Sequence, residues 1–332
     1  MVDDLAEEIL QDPAKAKTLP EEKAIVGVLN RYHGFAQQLL NEKVSAPRTI
    51  KNNDGTATSA LLSSVNKKQA SSKISKEDIL KNISNRADEI VQAPSTFITQ
   101  EILKAYVILQ SLLGRPRKFA RILRLYREKP IPRTSSTAPY LEFSKQNPSS
   151  PSTAVPPETA DLALQGAIDI RDLSLALSVI DETYCTTAYF RSKIIRSALI
   201  PMAGAVLTPV AAYSLASRFA LLQNTMDPSY ATGVAMAGIL TYASAVGTIG
   251  YVALTTANDQ MRRITWAQGM PLWERWVREE ERGAVDKVAQ AWGFKSMDKW
   301  GDEEGKDWEE LKEWTGHRGM VLDKVELMEG ME

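Results

Sequence analysis

The sequence predicts an all-α protein built from a helical-repeat-like N-terminal module, a two-helix transmembrane hairpin and a helical C-terminal tail. Three observations carry this reading. Apolar residues recur at three- and four-residue steps in several segments, which is the helical period. No Val/Ile/Thr-rich alternating run stands out, so little or no sheet is expected. Charge is segregated: residues 1–197 carry 27 basic and 22 acidic side chains, residues 198–257 only Arg218 and Asp227, and residues 258–332 carry 12 basic and 18 acidic. All seven tryptophans lie in the acidic last part. The domains expected are a basic helical module (1–133), a Pro/Ser-rich linker (134–157), a helical hairpin leading to the membrane (158–197), two transmembrane helices (198–257) and an acidic Trp-rich tail (258–332).

In chain order, residues 21–43 place Ile25, Val28, Leu29, Tyr32, Phe35 and Leu39 on one helical stripe, with His33 beside it. Residues 44–75 are rich in Ser, Asn, Lys and Thr and read as a linker. Ser75 is a candidate N-cap for a helix over 76–91 whose apolar side holds Ile79, Leu80, Ile83 and Ile90. Helices over 97–113 and 117–128 flank Gly114-Arg115-Pro116; glycine can end the first and proline can open the second, an αα-hairpin signature. Seven of the sixteen prolines fall in 130–157, which predicts an extended, mostly exposed segment. Helical pattern resumes over 158–171 and 172–185.

Residues 198–217 and 228–258 carry no charge at all. A spanning helix needs about 20 apolar residues, so both qualify by length. Their many Ala, Gly, Ser and Thr suit helices that pack closely in lipid. Small residues four apart occur at Ala212/Ala216, Gly233/Ala237 and Ala243/Gly247. Ala243 and Gly247, extended by Gly250 and Ala253, are expected to face the first span, leaving Gly233 and Ala237 for a partner helix. Pro209 is expected to kink the first span, with Thr208 at hand for a freed carbonyl. Arg191, Lys193 and Arg196 precede the first span, and Arg262 and Arg263 follow the second, so both outer ends belong on the positive side.

Composition removes several function classes. A single cysteine, Cys185, excludes an intrachain disulfide framework, and two histidines leave little for a His-based metal centre. Neither a phosphate loop nor a dinucleotide fingerprint occurs. No catalytic residue, metal ligand or cofactor is predicted, and the chain does not read as an enzyme. The acidic N-terminus (MVDDLAEEIL) is neither a secretory signal nor a transit peptide in pattern, so targeting is either internal or carried by a presequence outside this chain.

The sharpest local feature is 115–133, with eight basic residues against Glu128 alone. Phe119, Ile122, Leu123 and Tyr126 make a packing stripe, and Arg117, Arg121 and Arg124 form a row opposite. Such a row suits phosphates of RNA or of anionic lipid, or an acidic protein, and equally a plain solvated face. In the tail, Trp266 follows Arg262 and Arg263 at an interfacial position. Trp273, Trp276 and Val277 share a helix side with Ala284 and Val288, and the other tryptophans, set among acids, suit packing against a partner or the tail's own core.

Residues 97–128, with the following KPIP, are similar to one pentatricopeptide/tetratricopeptide-type repeat, and 158–185 to a second. The stretch TTANDQMRRITWAQGMPLWERWVREEERGAVDKVAQAWGF, with the terminal GMVLDKVELMEGME, resembles an uncharacterised family of fungal mitochondrial inner-membrane proteins with two spans after helical repeats. The resemblance implies an inner-membrane protein with both soluble parts in the matrix, serving respiratory-complex or mitoribosome biogenesis. The expected function is a scaffold or adaptor tethering a gene-expression or assembly partner; the alternative is an accessory or structural subunit of a large respiratory complex. Expected partners are other inner-membrane or matrix proteins and phospholipid, with RNA or the mitoribosome as open alternatives at 115–133.

Overall fold

The computed structural model describes residues 20–41, 76–134, 141–256 and 262–323. The 44–75 linker, the Ser75 cap and the terminal KVELMEGME therefore lie outside the described residues. Among the described residues the chain is mostly helical, with two short antiparallel ribbons. It divides into two compact units: Met1–Gln146 with Pro156–Ile170, and Asn147–Val155 with Arg171–Glu332.

The first unit holds α1 (Glu22–Asn41), α2 (Lys76–Gln92), α3 (Gln100–Leu112), α4 (Phe119–Glu128), the ribbon β1 (Ile131–Thr134) and β2 (Leu141–Ser144), and α5 (Pro157–Asp169). Helix α3 is the hub, packing against α1, α2, α4 and α5. It is apolar enough for that place: Ile102, Leu103, Tyr106, Val107 and Leu109 are all buried. Thr99 caps its start by accepting from Ile102 N, and Gly114, at φ 62°, closes its end. Pro116 then opens a 3-10 turn into α4, as the Gly-Arg-Pro spacing predicts. Gly166 of α5 sits so close to α3 that an added Cβ would lie 2.8 Å from Ser111 Oγ. On α1 the buried stripe ends in Ala36, while Phe35 stands 48% exposed.

The second unit holds α6 (Leu173–Thr183), α7 (Thr187–Ala220), α8 (Pro228–Thr256), β3 (Ile264–Trp266), α9 (Leu272–Val277), α10 (Glu279–Trp292), α11 (Lys306–His317) and β4 (Met320–Leu322). Strand β4 pairs antiparallel with β3, so the end of the tail returns to the point where the chain leaves α8. Helix α10 packs on α6, β3 and α11, burying Ala284, Val285, Val288 and Ala289.

One expectation needs correction, and three others gain detail. Sheet is limited to two ribbons whose strands are three or four residues long, in keeping with the little or no sheet expected. The proline-rich segment is not simply extended and exposed. Pro151–Thr153 forms a 3-10 turn, which proline's fixed φ suits, and Thr153, Ala154 and Val155 are buried where this turn meets α7. Residues 158–185 are shared between the units: α5 packs on α3 in the first, and α6 packs on α10 in the second. Helix α7 continues through Pro209, and the Thr208 hydroxyl bonds Gly204 O at 2.8 Å, one position before the carbonyl that the proline leaves without a donor.

Candidate functional site

Helix α4 separates its two faces cleanly. Phe119, Ile122, Leu123 and Tyr126 are at most 5% exposed, whereas Arg121 and Arg124 of α4 and Arg117 of the 3-10 turn before it are exposed. The rest of the basic run is largely spoken for. Lys118 pairs with buried Asp88, whose other oxygen accepts from Tyr106 Oη at 2.5 Å and Gln110 Nε2 at 3.1 Å. Burial and the Asp88 charge push the Tyr106 phenol up, so it stays a donor. Lys129 is buried, and its ammonium donates to Val91 O and Ala93 O at 2.8 and 2.7 Å, closing the last turn of α2. Desolvation pushes Lys129 down to about 8. Arg127 lies 3.6 Å from Glu128, and Arg133 stands opposite Glu142 in the ribbon. The surface the run presents is therefore narrower than eight charges suggest; Arg117, Arg121 and Arg124 of the predicted row are exposed, as are Lys118 and Arg133.

Helices α7 and α8 are the second feature. Both are long and apolar enough to cross a membrane, and their most apolar windows are wholly unburied. Leu199, Met202, Val206, Leu207 and Val210 point outward at 60–73% exposure. The helices pack on each other. On α7 the seam is Ala212, Ala216 and Ala220, at most 4% exposed. On α8 the half-buried positions Ala231, Ala235, Ile239 and Ala243 recur every four residues. Of the glycine-containing pairs, Ala243 thus belongs to the seam, but Gly247 is exposed, and a Cβ added there would meet nothing within 4 Å. The intramolecular role expected for Gly247 is not what the packing shows: along this four-residue stripe of α8 the half-buried positions end at Ala243. Gly233 and Ala237 are exposed as well. Hydroxyls of Ser214, Ser217, Thr232, Thr241 and Thr248 each bond the carbonyl four residues back, at 2.7–2.9 Å, so they need no water.

The third feature, the tail, is organised by buried arginines. Arg263 has no exposed side-chain surface; it bonds Asp323 at 2.6 and 2.9 Å and Glu303 at 2.7 Å, with Trp300 and Trp308 over its guanidinium at 5.1 and 4.6 Å. Burial alone would raise Glu303, but N–H groups of Phe294 and Gly301 together with Arg263 hold it below the usual carboxylate range. Asp286 accepts the consecutive N–H groups of Arg262, Arg263 and Ile264 at 2.7–3.1 Å, fixing the chain just beyond α8. Glu281 takes both Arg278 and Arg318, and Arg318 also reaches Asp181 at 2.5 Å, tying the tail to α6. Lys193, near the start of α7, pairs with Glu280 and donates to Trp276 O at 2.5 Å.

These contacts revise two further expectations. Lys193 and Arg263 are neutralised by tail carboxylates, so the exposed flanking cations are Arg191, Arg196 and Arg262. Trp266 is half-buried in β3 and donates to Glu279 at 3.4 Å, and Trp273 is 45% exposed on α9, a helix separate from α10. Cys185 lies in the turn before α7, where burial pushes its thiol up and Arg318 Nη1 approaches its sulfur at 3.2 Å. The sequence carried no mark of Asp286 or Arg263 as organisers; the tail's acidic excess was the one available signal. No family model matches the chain, and no curated protein or solved structure matches it either.

Proposed function

We propose that this protein is a membrane-anchored adaptor: the α7–α8 pair holds it in a bilayer, and the α4 arginine row engages an acidic partner. The observation that carries the reading is the outward face of the helix pair. Water would charge about 25 cal/mol for each Å² of apolar surface left there, whereas lipid removes that penalty. Apolar faces of this extent on both helices, with side-chain hydroxyls satisfied inside the helix, are what a hydrocarbon environment demands. The tail's ion pairs to Asp181 and Lys193 support one topology, with the start of α7 and the tail on the same side. The sequence resemblance supports the mitochondrial inner membrane as the site, with the matrix as that side.

The partner is tested by what co-purifies from mild detergent. Ribosomal proteins and RNA, lost on changing Arg117, Arg121 and Arg124 to Glu, would support an adaptor for gene expression. One stoichiometric respiratory complex would favour the second reading, an accessory subunit, for which the outward placement of Gly233 and Ala237 on α8 speaks. Extraction of the chain by alkaline carbonate would sink both.

A further inference from the structure

The short helix α9 carries Trp273 and Trp276, whose rings lie 5.1 Å apart, and it packs against both α8 and α7. Trp273 is 45% exposed although it sits beside two helices and within a folded tail. Trp308 in the same tail is, by contrast, 6% exposed.

The depth of α9 follows from its tether. Lys193 Nζ holds the Trp276 carbonyl, and the same ammonium lies 5.1 Å from the Trp276 ring centroid. Lys193 is one helical turn before Arg196, after which α7 carries no charge until Arg218. From Arg196 to Arg218 the helix rises about 33 Å, close to the ~30 Å of a bilayer's hydrocarbon core. One turn outside that core is about 5 Å, which is the headgroup layer. Tryptophan suits that layer because it joins a large apolar ring to a single N–H donor. Exposed Arg196 on α7 and Arg262 beyond α8 suit lipid phosphates.

We propose that α9 is an interfacial anchor whose Trp273 and Trp276 insert among glycerophospholipid headgroups and set the depth of the helix pair. The proposal rests on the membrane reading above. It adds a lipid-contact site in the tail, continuous with the apolar outward faces of α7 and α8.

The test is tryptophan quenching in the full chain, reconstituted in vesicles whose lipids carry bromine either high or deep on the acyl chain. All seven tryptophans lie in the tail, so two interfacial rings predict quenching of a minor fraction of the emission, stronger with bromine placed high. Trp273→Phe should remove about half of the quenched emission and the Trp273→Phe/Trp276→Phe pair most of it, with unchanged far-ultraviolet dichroism. Trp308→Phe should leave the quenched amount as it was. A chain that resists carbonate yet shows no quenching, or quenching indifferent to Trp273→Phe, overturns the anchor while leaving the membrane reading intact. A chain released by carbonate overturns the membrane reading itself.

Discussion

Gly293 and Lys129 show how single residues constrain each unit. A Cβ at Gly293 would fall 1.5 Å from Arg263 Nη1. That guanidinium cannot step aside, because two carboxylates and two indole rings enclose it. Gly293→Ala should therefore destabilise the tail by about 1–3 kcal/mol, the usual cost of overpacking. Arg263→Ala should cost more, about 3–5 kcal/mol, because it leaves Glu303 and Asp323 buried without their cation. Thermal melting followed by tryptophan emission measures both, and equal stability of Gly293→Ala and the native chain would contradict the packing. Lys129 makes a pH prediction. Its folded value near 8 lies below the ~10.4 of an unfolded lysine. Between those values the unfolded chain holds the proton and the folded chain does not, so stability rises with pH there and is flat in this respect below 8. Lys129→Met should abolish that rise, read as unfolding midpoints at pH 7.5 and 9.5 in detergent.

At the scale of elements, the α7–α8 seam decides which small residues matter. Ala216 is fully buried against the partner helix, whereas Gly247 faces open space. Ala216→Leu should push the helices apart and lower stability by about 1–3 kcal/mol, while Gly247→Leu should leave the detergent-solubilised melting temperature nearly unchanged. A reversed pattern would place the seam elsewhere. On α4 the faces are separated just as sharply. Charge reversal at Arg117, Arg121 and Arg124 should leave helicity intact, since the four apolar side chains opposite carry the packing. Any binding it abolishes should have fallen steeply with salt; pull-down yield at low salt that ignores the triple variant would show the row to be a solvated face.

For the whole molecule, the testable consequence is topology. Asp181 before α7 and Arg318 in the tail form an ion pair, so the proposed membrane anchoring requires the flanks of the helix pair to share one side of the bilayer. Protease added to sealed vesicles of one orientation should reach the N-terminal unit and the tail together or neither. Cleavage of one alone would break this arrangement. Acid should also loosen the tail: Glu303 is held below its unfolded value, so its contribution is present above about pH 4.3 and fades as pH falls through the lower folded value. Glu303→Gln should blunt that acid-side loss of tryptophan signal.

What the sequence determined by itself is what depends on local period and composition. The helical class, the Gly114-Pro116 break, the two faces of α4 and the two long apolar helices follow from spacing along one chain segment, because a helix repeats every 3.6 residues whatever it packs against. The tertiary structure alone decided the rest. Arg263 read as a membrane-flanking charge until Glu303 and Asp323, 40 and 60 positions away, proved to surround it. Trp266 proved half-buried and Trp273 exposed, and α5 and α6 went to different units. Gly247 looked like a packing notch because its spacing from Ala243 is right, but which stripe of a uniformly apolar helix faces its partner is set by the partner's surface. Ion pairs and seams join residues far apart in the chain, and no local pattern encodes that geometry.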